Sequence, residues 1–182
     1  MLGLKRGAVA LCTHDPAWET EAEHTISRLK QILGSSARDI QHVGSTAIPA
    51  VKAKPIIDIA VAMERPADIL AFLPELKAAG FHYRPEAQPA LAEQLLFACG
   101  NYYENAGDLQ THFIHIVPAD SADWENYILF RDYLNANPDA AKEYETLKET
   151  LAGNVPAESG RNEYTEGKQD FIRNILKTAR EL

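Results

Sequence analysis

The chain has 182 residues, of which 46% are hydrophobic and 24% are charged, a composition typical of one or two compact domains with a buried core. The 26 acidic and 18 basic residues give a formal charge of −8, which disfavours a broad electrostatic hold on nucleic-acid backbone or on an anionic membrane. Two cysteines are too few for a disulfide framework, and no stretch reaches the roughly 20 apolar residues of a membrane span. We therefore expect a cytoplasmic protein that binds its ligand at a local site.

The first two thirds of the chain alternate between helical and strand patterns. Asp15 and Pro16 are typical of a helix start, and apolar residues then recur at helical spacing until Gly34. A second helical pattern covers 66–79. Strand patterns occur at 39–43, 55–63, 81–84, 95–99 and 111–117.

From residue 123 onward the apolar spacing is helical, with a linker predicted at 153–160. This order of elements predicts an α+β fold in which residues 1–120 form a core with a mixed sheet. Residues 121–182 are expected to form a helical C-terminal region that packs on this core as one compact unit.

The residues most typical of ligand binding lie in the segment HVGSTAIPAVKAKPIIDIAV. Gly44 allows close backbone approach, and the hydroxyls of Ser45 and Thr46 together with exposed amides can bind phosphate oxygens. Lys54 adds a compact positive charge. Strand alternation places Asp58 among apolar neighbours, where a carboxylate is costly unless it is paired, hydrogen-bonded or bound to a metal. The segment therefore predicts an anion site beside a carboxylate that suits Mg²⁺.

Each of these features also has a structural interpretation. The residues from Gly44 to Thr46 can form a simple turn before a short capped helix. Asp58 can be paired with Lys54, with an arginine or with backbone amides beneath the helices.

The motifs HVGST and KPIID resemble the signature of the GrpB family, and the resemblance extends over most of the chain. It includes Asp15-Pro16, the sequence THFIH at 111–115, LFRDYL at 129–134, and Tyr164 with Lys168. Members of this family are similar to the nucleotidyltransferase superfamily, which includes DNA polymerase beta and the aminoglycoside nucleotidyltransferases. The resemblance implies a nucleotidyltransferase-like mixed β-sheet with packed helices and a helical C-terminal region.

In that superfamily, a Gly-Ser pair opens the nucleotide site, and two carboxylates on the next strand bind two metal ions. A third carboxylate on a neighbouring strand helps to hold the ions. Gly44 and Ser45 match the first element and Asp58 matches the first carboxylate, whereas Ala60 stands at the second carboxylate position. The resemblance thus implies catalytic roles for Asp58 and Ser45, while Ala60 predicts an impaired two-metal site.

Histidines are candidates for the missing metal ligand. His112 and His115 point to opposite faces of a flat strand, so at most one of them lies on the face of Asp58. His42, which precedes Gly44 by two positions, is a further candidate. We expect a divalent ion, Mg²⁺ or Mn²⁺, and Zn²⁺ becomes a candidate if a histidine is a ligand.

The resemblance also implies that basic residues of the C-terminal helices close over the cleft and contact phosphate or base. These residues are Arg131, Lys148 and Lys168, accompanied by Tyr164. The structural alternative for the three basic residues is a solvated helix face.

We expect a protein that binds a nucleotide or a related phosphorylated small molecule and, with a divalent metal, transfers a nucleotidyl group. The first alternative is a non-catalytic module that binds a ligand or a protein partner, which Ala60 favours. The second is a metal-dependent phosphohydrolase that uses Asp58 with His42 or His115. The sequence predicts neither bulk nucleic-acid binding nor membrane association.

Overall fold

The structure, a computed structural model, describes residues 1–87, 93–103, 105 and 107–181. The helices are α1 (Ala17–Leu33), α2 (Leu73–Ala78), α3 (Ala122–Ala136), α4 (Pro138–Asn154), α5 (Arg161–Gly167) and α6 (Gln169–Arg180). The strands are β1 (Leu4–Lys5), β2 (Ala37–Val43), β3 (Ile57–Met63), β4 (His82–Tyr83), β5 (Leu95–Cys99), β6 (Leu109–Gln110) and β7 (His112–Pro118). No helix in the described ranges is both long enough and apolar enough to cross a membrane.

Five strands form a mixed sheet in the order β2-β3-β7-β5-β4. The central strands β3 and β7 run parallel, and the other neighbours are antiparallel. This arrangement confirms the predicted α+β fold with a mixed sheet. In the register of the sheet, Asp58 on β3 lies between Val43 on β2 and Phe113 on β7.

One face of the sheet packs against α1 and forms the main core. Ile57, Ile59 and Val61 alternate towards this face, where they join Trp18 and Leu29 of α1 in one buried cluster. Full burial of each such aliphatic side chain contributes about 1.5–3 kcal/mol. The burial of these alternate apolar residues sets the orientation of β3. Asp58 therefore points to the opposite face of the sheet.

A second apolar cluster joins the loop after β2 to the C-terminal helices. Ile48 and Val51 of this loop are buried together with Phe130 of α3, Tyr144 of α4 and Leu176 of α6. The loop that begins at the GST motif is thus held by the C-terminal helices as well as by the sheet.

Two elements differ from the sequence predictions. The helix predicted over 66–79 is a 3-10 helix at Pro66–Phe72 followed by the short α2. Pro74 explains the break, because it has no backbone N–H and its ring would clash with the carbonyl of Leu70 in a continuous α-helix. The linker predicted at 153–160 overlaps α4, which continues to Asn154.

Candidate functional site

Gly44 brings the backbone at the end of β2 against the carboxylate of Asp58. Its φ of 70° and ψ of −169° lie in a region that is essentially restricted to glycine. A Cβ at this position would lie 2.7 Å from Oδ2 of Asp58, so the Asp58 side chain would have to shift. Both the backbone conformation and the contact with Asp58 therefore favour glycine at position 44.

The two hydroxyls that follow Gly44 have different surroundings. Ser45 lines an open cleft, and its Oγ lies 3.3 Å from the hydroxyl of Tyr144 on α4. Thr46 is buried, and its Oγ1 lies 2.9 Å from Nε2 of His42. Ser45 is thus accessible to a ligand, whereas the hydroxyl of Thr46 stabilises the loop.

His115 is the hydrogen-bond partner of Asp58. Nε2 of His115 lies 3.1 Å from Oδ1 of Asp58, and the two side chains are 22% and 30% exposed. The imidazole also packs against the ring of Tyr127 on α3, at a centroid distance of 5.2 Å. Burial raises the pKa of the Tyr127 phenol, with a further contribution from the nearby charge of Asp58. The phenol therefore stays neutral beside the Asp58–His115 pair.

His112 has its contacts with α1, on the other face of the sheet from His115. Its Nε2 lies 3.2 Å from Oγ1 of Thr25 and 3.4 Å from the carboxylate of Glu21, and its Nδ1 lies 2.9 Å from Oγ1 of Thr111. The odd spacing between the two histidines thus has the predicted effect. Burial is the main cause that lowers the pKa of His112 to about 4, so its ring is neutral near pH 7.

His42 also lies on the α1 side of the sheet, because its cross-strand partner is Ile59 and directly opposite residues share a face. Burial is the main cause that lowers its pKa to about 4. Of the three histidine candidates, the structure places His115 beside Asp58 and the other two towards α1.

A cleft of about 670 Å³ opens on the Asp58 face of the sheet. Five residues singled out from the sequence line it: Ser45, Lys54, Asp58, His115 and Lys168. Tyr164, at the C-terminal helix α5, lines it as well. The polar lining is completed by Arg161, Asn162, Thr165, Glu166 and Gln169. These five were missed because they belong to α5 and α6, and no local pattern shows that these helices meet β3.

Two lysine ammonium groups approach the same aromatic ring in this cleft. Nζ of Lys54 lies 5.1 Å from the centroid of the Tyr164 ring, and Nζ of Lys168 lies 4.8 Å from it. Burial, reinforced by the charges of Lys168 and Arg161 and opposed by Asp58, lowers the pKa of Lys54 to about 7. Within the described ranges, the Lys54 ammonium has no hydrogen bond or ion pair.

Arg161 of α5 donates hydrogen bonds to the N-terminal segment, and its side chain also lines the cleft. Its Nε donates to the carbonyl of Ala8 at 3.1 Å, and its Nη2 donates to the carbonyl of Lys5 at 2.8 Å. Its Nη1 donates to the side-chain oxygen of Gln110. These bonds fix the position of the guanidinium and of the neighbouring helix α5.

The other two basic candidates lie outside the lining of this cleft. Lys148 is fully buried and donates to the carbonyl of Lys52, and burial is the main cause that lowers its pKa to about 7. Arg131 donates to the carbonyl of His42 at 2.9 Å and to Oε1 of Gln41 at 3.0 Å. Both residues connect the C-terminal helices to β2 and the loop that follows it.

The surroundings of Asp58 contain few further metal ligands. Ala60 follows it on the same face of β3, and Phe113 lies opposite it on β7. Among the described residues, no group of three or more His, Cys, Asp or Glu side chains is placed to hold a metal ion. These positions do not fit a two-metal centre, which needs bridging carboxylates.

The family model described as GrpB protein matches residues 8–178. The chain belongs to the GrpB family. The glutamate-rich protein GrpB of Alkalihalophilus pseudofirmus is 41% identical over 177 residues, which cover 97% of this chain and 98% of that protein. The crystal structure of GrpB from Enterococcus faecalis has a TM-score of 0.80 at 32% identity and covers 93% of this chain and 96% of that one. These matches confirm the family that the HVGST and KPIID motifs indicate.

A more distant likeness concerns the fold of this chain. The Cid1 poly(U) polymerase, in its structure with MgGTP bound, has a TM-score of 0.53 at 17% identity. The match covers 79% of this chain and 45% of that one. At this identity the similarity shows the fold alone, and it confirms the predicted nucleotidyltransferase-like architecture.

Proposed function

We propose that this GrpB protein binds a nucleotide or a related phosphorylated ligand in the cleft on the Asp58 face of the sheet. The observation that carries the proposal is the convergence of Lys54, Arg161 and Lys168 on one cleft of a protein with a net charge of −8. Asp58 and Glu166 are the acidic residues that line the same cleft, so basic side chains outnumber acidic ones there. A phosphate group would pair with these basic side chains.

The size and lining of the cleft suit such a ligand. Its volume of about 670 Å³ falls within the range of about 300–1,000 Å³ that is typical of small-molecule sites. Ser45 offers a hydroxyl to phosphate oxygens, while Asn162 and Gln169 offer amide groups to sugar or base. In this proposal Lys54 and Lys168 bind the phosphates directly, whereas Arg161 acts through its charge because much of its guanidinium is already bonded.

Nucleotidyl transfer is the second candidate function, and the Asp58–His115 pair is the observation that favours it. Asp58 and His115 would hold a single divalent ion together with ligand phosphates, and this donor set suits Mn²⁺ or Zn²⁺ better than Mg²⁺. The ion would supply positive charge to the phosphate that is transferred. Ala60 and Phe113 provide none of the further carboxylates of a two-metal site, so we rank ligand binding without transfer first.

The proposal is tested by isothermal titration of the metal-free protein with ATP, UTP, coenzyme A and glucose 6-phosphate, each with EDTA, Mg²⁺, Mn²⁺ or Zn²⁺. We expect at least one phosphorylated compound to bind, and Lys54→Met to weaken its binding by tenfold or more, because an ammonium group is lost from the cleft. Lys142→Met is the matched control, since Lys142 is exposed on α4 outside the cleft. Failure of all four compounds to bind, or equal affinity in Lys54→Met, would contradict the proposal.

The same variants separate binding from transfer. In transfer, an acceptor hydroxyl attacks the α-phosphorus and displaces pyrophosphate. Release of pyrophosphate from a bound nucleoside triphosphate is therefore measured with each metal and with added sugars and nucleosides as acceptors, in the wild type and in Asp58→Asn. Metal-dependent release that Asp58→Asn abolishes would favour nucleotidyl transfer. Binding without release would favour the non-catalytic function.

A further inference from the structure

Lys54 occupies an unusual position for a lysine on the wall of a ligand site. Its ammonium lies over the ring of Tyr164, and within the described residues it has neither a hydrogen-bond acceptor nor a carboxylate partner. Lys168 lies over the same ring, with its Nζ 4.8 Å from the centroid. A third cation, Arg161, lines the same cleft. Neighbouring positive charges disfavour the charged form of each lysine, and a bound anion favours it.

We propose that a ligand with a dianionic phosphate end enters this cleft together with one proton, and that Lys54 takes up this proton. The inference rests on the proposed function, because it needs a phosphorylated ligand in the same cleft. At pH 8 the Lys54 side chain of the free protein is mainly the neutral amine. In the complex it is the ammonium, paired with a phosphate oxygen, and solvent supplies the proton.

The charges around Lys54 explain why the ligand is needed for this change. The titratable groups that line the cleft from α5 are Arg161, Tyr164 and Glu166, and Lys168 follows directly after this helix. The strands contribute Asp58 and His115, whose hydrogen bond to each other engages one oxygen of the carboxylate. The combined effect of burial and the two neighbouring cations exceeds the opposing effect of Asp58 and lowers the pKa of Lys54 to about 7.

A bound phosphate reverses this balance. An anion beside Lys54 stabilises the ammonium and returns its pKa towards the ordinary value of about 10.4 for lysine. At pH 8 about nine-tenths of a group with a pKa of about 7 is uncharged, so close to one proton is taken up for each ligand bound. Below pH 6 Lys54 is already charged in the free protein, and the uptake disappears.

Lys148 is the competing group, since its pKa is also lowered to about 7. It differs from Lys54 in being fully buried and in donating to the carbonyl of Lys52. It does not belong to the lining of the cleft. We therefore assign the proton to Lys54, and the experiment separates the two lysines.

The experiment is isothermal titration with ATP in EDTA at pH 8.0, carried out in Tris and in EPPS, which differ in ionisation enthalpy. The difference in observed heat between the buffers gives the number of protons taken up. A terminal phosphate, with a pKa of about 6, has lost its second proton at this pH, so the ligand contributes little. We expect about 0.5–1 proton per ATP, and an affinity that falls by up to about tenfold between pH 8 and pH 9.

Two variants locate the proton. In Lys54→Arg the guanidinium is charged throughout this range, so we expect uptake to fall below about 0.2 proton and the affinity to lose most of its dependence on pH. In Lys54→Met the binding is weaker, and the uptake should be lost as well. Inorganic pyrophosphate, titrated in the same way, shows whether the phosphate end alone is sufficient.

Each outcome has a separate meaning. If neither ATP nor pyrophosphate binds, this inference falls together with the proposed function for these ligands. If ATP binds to the wild type without proton uptake, the inference is wrong while the proposed function stands. Undiminished uptake in Lys54→Arg, or in Lys54→Met if Lys54→Arg does not bind, would assign the proton to another group and would also overturn it.

Discussion

The two faces of the five-stranded sheet are built from alternating residues of the same strands, yet their polar groups have different partners. On the α1 face, His112 is buried between the hydroxyls of Thr25 and Thr111. On the cleft face, His115 is partly exposed and bonded to Asp58. Two histidines that are three positions apart on one strand thus lie in different surroundings, one in the core and the other in the cleft.

The same residue type has different surroundings on the two faces because the two faces are covered to different extents. The α1 face is closed by an amphipathic helix, so its polar groups must find partners within the protein. The cleft face is only partly covered, and its charged groups remain available to a ligand. We therefore expect changes on the α1 face to lower the free energy of unfolding, and changes on the cleft face to lower affinity.

The largest effect is expected for Trp18→Ala on the α1 face. Trp18 is almost fully buried in the main core, and truncating a buried tryptophan typically costs about 3–5 kcal/mol of unfolding free energy. Phe113→Ala is the matched change on the cleft face, where Phe113 is half-buried. Urea unfolding should show a loss for Phe113→Ala that is less than half of the loss for Trp18→Ala. Similar losses for the two variants would contradict the expectation that the α1 face contributes more to stability than the cleft face.

An intermediate effect is expected from acid, through the buried histidine of the α1 face. His112 has a folded-state pKa of about 4, below the unfolded value of about 6.5. Between these values the unfolded chain binds the proton and the folded chain does not, so the contribution of His112 to stability is complete above pH 6.5 and decreases as pH falls towards 4. The loss amounts to at most about 3 kcal/mol.

The measurement is urea unfolding of the wild type and of His112→Gln at pH 7.5, 6.5, 5.5 and 4.5. The variant is expected to be less stable at pH 7.5, because its hydrogen bonds to Thr25 and Thr111 are altered. Its further loss between pH 6.5 and pH 4.5 should nevertheless be smaller than that of the wild type. Parallel pH profiles would show that His112 does not cause the acid sensitivity.

The parts of the site that could be predicted from sequence are those set by local periodicity. The apolar alternate residues of β3 placed Asp58 on the face opposite the core, and the odd spacing separated His112 from His115. The contact between Gly44 and Asp58 could not be derived from this periodicity, because it depends on the register between β2 and β3.

The parts that could not be predicted depend on contacts between distant segments. Lys148 looked like a basic residue of a helix face, yet it is buried against the carbonyl of Lys52, 96 positions away. Arg161 gave no local indication that it would reach both the N-terminal segment and the cleft. A helical pattern predicts which residues share a face, but it does not identify the partner of that face.

A smaller change in stability than for Trp18→Ala is expected for Gly44→Ala, which tests the contact between Gly44 and Asp58. Gly34→Ala is its control: Gly34 also has a positive φ, of 52°, but a Cβ there would meet nothing within 4 Å. Each substitution should cost about 1–3 kcal/mol of unfolding free energy, because an L-residue is strained at a positive φ combined with these ψ values. Only Gly44→Ala should also weaken ATP binding, since its Cβ would displace Oδ2 of Asp58. Equal ATP affinity in the two variants would show that ligand binding does not depend on the position of Asp58, and the functional distinction between the two faces would then rest on the lysines alone.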